Sequence, residues 1–99
     1  MIPKKFKVFG TEYTIDLVES SEIDLNGDLG EYCDILHEIK LAKTVKVDDK
    51  IYKISDNDIL KTYLHELGHC FEYNWRGDTT EEFAQMFSNF MYEYLTTKK

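Results

Sequence analysis

Two histidines four residues apart enclose a glutamate in the segment His65-Glu66-Leu67-Gly68-His69. On a helix, residues at this spacing lie on one face, one turn apart, so both imidazole rings can reach the same ion. Neutral imidazole nitrogens bind Zn²⁺ at about 2.0–2.1 Å, and a catalytic zinc keeps three protein ligands and one position for water. Glu66 is placed to accept the proton of that water and to pass it to a leaving amine. The pentapeptide therefore predicts a hydrolytic zinc site with His65 and His69 as ligands and Glu66 as general base.

A third ligand is expected from the segment that follows. Residues 74–78 have the composition of a turn, after which Asp78 or Thr79 can cap a second helix, with Glu81 or Glu82 as capping-box partner. The apolar residues of this helix form a stripe that we expect to face the core: Phe83, Met86, Phe87, Phe90, Met91 and Tyr94. At about 100° per residue, Glu82 lies nearer the edge of that stripe than Glu81. We therefore predict Glu82 as the third ligand and keep Glu81 as the alternative; the other glutamate would stabilise the helix N-terminus.

The helix that carries the pentapeptide can be read from its periodicity. Several N-cap residues within 55–58 precede a set of apolar residues at helical spacing: Ile59, Leu60, Tyr63, Leu64, Leu67 and Phe71. Gly68 lies in the interior of this helix, where glycine costs about 1 kcal/mol relative to alanine. We therefore expect a closely packed neighbour at Gly68, although glycine is also tolerated in helices without one.

The N-terminal part of the chain carries strand signals. Apolar and polar residues alternate on both sides of Gly10, which predicts a β-hairpin over residues 5–17. Residues 19–25 have no clean period and are compatible with a short helix or a loop, followed by a turn at residues 26–28. The chain therefore begins with sheet structure.

Three later segments also predict strands: residues 33–41, 44–47 and 51–54. The last two flank Asp48-Asp49-Lys50 and predict a second hairpin. The expected fold class is α+β, with a small mixed β-sheet followed by an active-site helix and a C-terminal helix. At 99 residues and 42% hydrophobic content, residues 1–99 are expected to form a single domain with one core.

The pentapeptide and the run TEEFAQMFSN that begins at Thr80 together resemble the gluzincin type of zincin metallopeptidase, in which HExxH is followed by a distal glutamate. More narrowly, the chain from Gly30 onward is similar to small phage-encoded and ImmA/IrrE-like metallopeptidases. The resemblance implies a minimal zincin-like domain that holds one catalytic Zn²⁺ and acts on a protein or peptide substrate. The metzincin pattern, with a glycine and a third histidine soon after the motif, is missing.

The same resemblance suggests where a substrate binds. Residues 35–41 would form an edge strand beside the active-site helix and receive the substrate backbone as an added strand; the alternative is an ordinary interior strand. His37 on that strand is a candidate for stabilising the oxyanion that develops during hydrolysis. Tyr63, Tyr73 and Tyr92 are near the motif in sequence and are further candidates, and the sequence does not choose among them.

Composition limits the partners. The net charge of −7 argues against nucleic acid. No apolar run approaches the roughly 18 residues of a membrane span, and the N-terminus lacks the hydrophobic core of a signal peptide. We therefore expect a cytoplasmic protein without a membrane partner, in which Cys33 and Cys70 are free thiols. The oligomeric state is left open.

These observations favour a zinc-dependent metallopeptidase that hydrolyses peptide bonds with metal-bound water activated by Glu66. The alternative is a zinc-containing regulatory or adaptor module that keeps the zincin fold with little turnover. The presence of Glu66 favours the enzyme, because a module without turnover has no chemical need for a base there. A third hypothesis, similarity to SprT-like peptidases that act on DNA-bound proteins, is disfavoured by the acidic balance and the lack of a basic tail.

Overall fold

A computed structural model describes residues 2–19 and 29–98 of the chain. The predictions for residues 20–28 lie outside this described part. Within it the elements are β1 (Lys5–Val8), β2 (Thr11–Val18), β3 (Gly30–Cys33), β4 (Glu38–Ala42), β5 (Thr44–Val47), β6 (Lys50–Lys53), α1 (Asp56–Arg76) and α2 (Glu81–Thr97). The predicted α+β class is confirmed.

The first four strands form one mixed sheet in the order β1-β2-β4-β3. β1 and β2 are antiparallel and form the hairpin that the sequence predicts around Gly10. β4 runs parallel to β2 on one side and antiparallel to β3 on the other. β1 and β3 are therefore the two edges of this sheet.

The prediction of a single strand over residues 33–41 is wrong. The chain forms two strands, β3 and β4, with a turn between them. His37 ends that turn with φ 52°, in the left-handed region that interrupts an extended strand. Ile35 and Leu36 are exposed in the turn and continue the apolar pattern through it. The strand expected to border the active-site helix from residue 35 onward is thus an interior strand, and the edge strand is β3.

The second predicted hairpin is confirmed as the separate two-stranded sheet β5-β6. Asp48 and Asp49 turn the chain with φ 51° and 64°, a conformation that aspartate tolerates better than most residues. Its strands lie mostly at the surface, and Ile51 is 70% exposed.

The core lies between the four-stranded sheet and α1. Its buried residues come from the strands, from α1 and from the segment that joins them: Tyr13, Ile15, Ile39, Leu41, Ala42, Ile54, Ile59, Tyr63, Leu64 and Cys70. Ser55 caps α1 by accepting a hydrogen bond from the backbone N–H of Asp58, as predicted. The helix continues to Arg76, so residues 74–76 are helical and the turn begins at Gly77.

α2 returns antiparallel to α1 and packs closely on it. A Cβ atom on Gly68 would lie 3.0 Å from the Cα of Ala84, so the close neighbour predicted from Gly68 is the backbone of α2. Thr80 is the N-cap, because its hydroxyl accepts the N–H of Phe83. The predicted caps, Asp78 and Thr79, precede it. Among the described residues, no helix combines the length and apolar character that crossing a bilayer requires.

The apolar stripe of α2 does not face the core as predicted. Met86, Phe90 and Tyr94 are 62%, 66% and 53% exposed, whereas Ala84 and Ser88 are buried. Small residues occupy the contact because they allow the two helix backbones to approach, and bulky side chains do not fit between them. The largest apolar residues of α2 therefore lie on its outer face.

Candidate metal centre

The two histidines of the pentapeptide lie on one face of α1, as their spacing predicts. Their ring centroids are 4.9 Å apart and the rings are edge to face. One ligand atom of each of His65, Glu66 and His69 lies within 4.8 Å of those of the other two. Glu66 is only 8% exposed. α1 therefore places two imidazoles and one buried carboxylate together.

A second carboxylate comes from the first residue of α2. The Oε1 atom of Glu81 lies 3.0 Å from Nε2 of His65, and its Oε2 atom lies 2.9 Å from Nε2 of His69. Glu82, which the sequence analysis chose, is exposed and is not among the described residues that line the surrounding cleft. The choice is thereby corrected: the carboxylate against the histidine pair is that of Glu81.

The physical reason is the orientation of α2. The angular argument assumed that the bulky apolar stripe faces the core, but the buried face carries Ala84 and Ser88. Glu81 precedes these two residues by three and by seven positions, which places all three on neighbouring parts of one helix face. Glu82 is rotated by about 100° from Glu81 and lies on the outer side.

A buried glutamate fixes the start of α2. Glu72 of α1 is fully buried and accepts hydrogen bonds from the backbone N–H of Thr80 at 2.8 Å and from its hydroxyl at 3.1 Å. The Arg76 guanidinium also donates to Glu72. Burial opposes the charge, but the hydrogen bonds from Arg76 and Thr80 outweigh it, so the pKa of Glu72 lies below its ordinary value. Glu72 thus holds the cap residue that directly precedes Glu81.

The protonation of His69 suits a metal ligand. Burial lowers its pKa below the ordinary value, His65 acts in the same direction, and Glu81 opposes both. The lowered pKa favours neutral imidazole, which is the form that binds zinc. The Nδ1 atom of His69 is buried and has no hydrogen-bond partner among the described residues. Of the described carboxylates, none donates or accepts at this atom to orient the ring.

The site lies in a cleft of about 940 Å³ between β3, α1 and α2. Of the tyrosines considered for oxyanion stabilisation, Tyr92 lines this cleft, and its hydroxyl donates to Oδ1 of Asn57 at 2.6 Å. Tyr63 belongs to the core. His37 lies in the β3–β4 turn, where its ring stacks near Tyr13 with centroids 5.1 Å apart. The structure therefore brings Tyr92, and not His37, to the cleft.

The edge strand β3 lies directly against the site. A Cβ atom on Gly30 would come within 2.6 Å of Cγ2 of Thr62 and 3.2 Å of Cγ of Glu66. Only glycine allows the strand to approach α1 so closely. Sequence reasoning missed this role of Gly30, because the contact depends on how the sheet rests on α1.

The donor atoms fit a zinc ion. Two imidazole nitrogens and a carboxylate form the N/O set of hydrolytic zinc sites. The Nε2-to-oxygen distances of 2.9 and 3.0 Å are slightly shorter than the roughly 3.3 Å between two ligand atoms of a tetrahedral zinc. Glu81 is largely exposed and can adjust by that amount. Cys33 and Cys70 are free thiols, and Cys70 is buried in the core.

Comparisons with models of protein families, with curated proteins and with solved structures found no match for this chain.

Proposed function

We propose that the protein is a zinc-dependent metallopeptidase that hydrolyses peptide bonds, with His65, His69 and Glu81 as zinc ligands and Glu66 as general base. The supporting observation is the convergence of both Nε2 atoms on one carboxylate, beside a second, buried carboxylate in an open cleft. Glu81 takes the ligand position for which the sequence favoured Glu82.

The chain's own groups have distinct tasks in this reaction. When bound, Zn²⁺ supplies Lewis-acid activation of the attacking water and of the scissile carbonyl. Glu66 takes a proton from the attacking water and delivers it to the leaving amine. Its burial against β3 keeps bulk water from competing for that proton. His65 and His69 are positioned as neutral donors by a single helix turn.

The substrate backbone binds along the free edge of β3. β3 is an edge of its sheet and its residues Gly30 and Glu31 line the cleft, so unpaired backbone groups lie next to Glu66. An extended peptide can pair with such an edge through main-chain hydrogen bonds. This assigns to β3 the task that the sequence analysis gave to residues 35–41.

Metal analysis and a peptide-library cleavage assay test the proposal together. We expect one zinc per chain and cleavage that a chelator removes and added zinc restores. Glu66→Gln should keep its zinc and lose about 10²–10⁴-fold in kcat/KM, because the proton transfer lacks its base. Glu93→Gln, which changes another carboxylate lining the cleft, is the matched control and should retain activity.

Each contrary result has a defined meaning. Full turnover by Glu66→Gln would reject Glu66 as the base. A zinc-loaded wild-type protein that cleaves no member of the library would favour the regulatory or adaptor module instead. A protein that binds no zinc would reject both.

A further inference from the structure

The outer face of α2 carries an exposed row of residues at four-residue spacing: Glu82, Met86, Phe90, Tyr94 and Lys98. Residues at this spacing lie above one another on a helix surface. Within the row, the rings of Phe90 and Tyr94 stack with centroids 6.2 Å apart. We call these five residues the α2 row. Its three central members are large, apolar and unpacked.

Aromatic residues extend this surface onto α1. Phe83 and Phe87 of α2 stack on Phe71 of α1 at centroid distances of 6.0 and 5.9 Å, and Trp75 lies 6.1 Å from Phe83. Phe9 from the β1–β2 turn contacts Phe71 at 5.7 Å. The α2 row is thus one part of a continuous apolar face.

The exposed area of this face is that of a protein interface. Six of its residues are between 37% and 66% exposed: Phe9, Phe71, Trp75, Met86, Phe90 and Tyr94. With about 150–250 Å² per large side chain, they expose roughly 700 Å². The largest apolar patch of a typical monomer is about 300–600 Å², and each partner in a standard interface buries about 800 Å².

The total surface of the chain leads to the same conclusion. The accessible surface is 6888 Å², whereas a folded monomer of 11.7 kDa exposes about 5,900 Å². The excess of about 1,000 Å² is close to what one subunit buries in a stable dimer. The chain therefore exposes about one interface more than its mass requires.

The α2 row is self-complementary, which identifies the partner. Met86 and Tyr94 lie four residues before and after Phe90, and Glu82 and Lys98 lie eight before and after it. When two copies of α2 pair antiparallel about Phe90, Met86 faces Tyr94 of the second copy and Glu82 faces its Lys98. The Nζ atom of Lys98 already lies 5.9 Å above the ring of Tyr94, at the end of the row. Such a two-fold contact satisfies both charges and both apolar positions.

From this geometry we propose that two copies of the chain form an isologous dimer through the α2 row, with antiparallel α2 helices crossing at Phe90. On α2, the residues that line the cleft, such as Glu81 and Ser88, lie about 180° around the helix from Phe90. The dimer therefore leaves both clefts open. The proposal does not depend on zinc or on hydrolysis.

The molar mass in solution tests this directly. Sedimentation equilibrium across a dilution series should show wild-type protein at twice 11.7 kDa at high concentration. Phe90→Glu places two carboxylates at the two-fold axis and should give a monomer throughout. Ile51→Glu is the matched control, because Ile51 on β6 is exposed to a similar degree and lies outside the face; it should remain a dimer.

Charge reversal identifies the antiparallel register. Glu82→Lys or Lys98→Glu alone should raise the dimer dissociation constant by roughly twofold to tenfold, and more at low salt. The double variant Glu82→Lys/Lys98→Glu should restore it, because each pair is again of opposite sign. A wild-type monomer at all concentrations, a dimer that survives Phe90→Glu, or a double variant weaker than both single ones overturns the proposal.

Discussion

Glu81 is held at the histidine pair by two separate physical effects. It is the first residue of α2, where the partial positive charge of a helix N-terminus stabilises a carboxylate. Both of its oxygens also lie at hydrogen-bond distance from imidazole nitrogens. Stabilising the helix and binding at the site are therefore tasks of one glutamate, where the sequence analysis divided them between two.

The pair Glu81 and Glu82 provides a matched test of zinc binding. Glu81→Gln should weaken zinc affinity by more than about 100-fold, since even the loss of a group behind a ligand costs about 10–100-fold. Glu82→Gln should leave the affinity unchanged, because Glu82 lies on the outer face. Competition with a chromophoric chelator, at dilute protein, measures both. The opposite order of affinities would return the ligand position to Glu82.

The residues of the site differ in how far the sequence could predict them. His65, Glu66 and His69 are grouped by local helix geometry, so their spacing alone is sufficient. The position of Glu81 depends on where α2 begins, and this depends on the hydrogen bonds between Glu72 and Thr80, eight residues apart. A shift of the N-cap by one residue rotates the helix by about 100°. Spacing contains no information about that shift.

At the scale of elements, the site depends on the distance between α1 and α2. The histidines belong to one helix and Glu81 to the other, and the closest packing between the helices occurs at Gly68 and Ala84. The helix carries glycine at this point, although glycine weakens a helix by about 1 kcal/mol. The close contact is what allows a carboxylate of α2 to reach the imidazoles of α1.

Gly68→Val tests this dependence. Its side chain would overlap the backbone of Ala84 and the ring of Phe87, so we expect a loss of about 1–3 kcal/mol in the free energy of unfolding. The displaced α2 should also weaken zinc affinity, although no ligand is changed. Urea denaturation and chelator competition measure the two effects.

Lys61→Val is the control, because it introduces the same side chain at an exposed position of α1. It should cost no more than about 0.7 kcal/mol and leave the zinc affinity unchanged. Equal losses in both variants would mean that valine weakens α1 itself and that the spacing of the helices is not the cause.

Some elements were predictable and others were not, for physical reasons. The cost of an interior glycine made the close contact at Gly68 foreseeable, and the turn residues identified both confirmed hairpins. Periodicity showed that one face of α2 is apolar, but it does not show what covers that face, which is why the exposure of Phe90 was missed. Ile35 and Leu36 hid the turn between β3 and β4, since apolar residues in a turn resemble a continuing strand.

At the scale of the whole molecule, the core encloses groups that ionise at alkaline pH. Burial raises the pKa of the Cys70 thiol to about 11 and that of Tyr63 to about 12. Burial and a hydrogen bond with Tyr13 also raise the pKa of Tyr32. In each case the folded state holds the proton more tightly than the unfolded chain does. Folding is therefore linked to the protonated forms.

The sign of this linkage predicts alkaline destabilisation. Cys70 has an ordinary pKa of 9.0 and a folded value of about 11, so its contribution is complete below pH 9 and is lost as the pH rises through 11. Tyr63 acts in the same direction between 10.0 and about 12. The free energy of unfolding in urea should therefore fall steadily from about pH 9 upward. Cys70→Ala should show a shallower fall between pH 9 and 11, because the thiol is gone, whatever the variant costs in packing. Cys33→Ala, which removes the thiol on β3, should follow the wild-type curve. A Cys70→Ala curve parallel to the wild-type curve would show that the buried thiol does not contribute to the pH dependence.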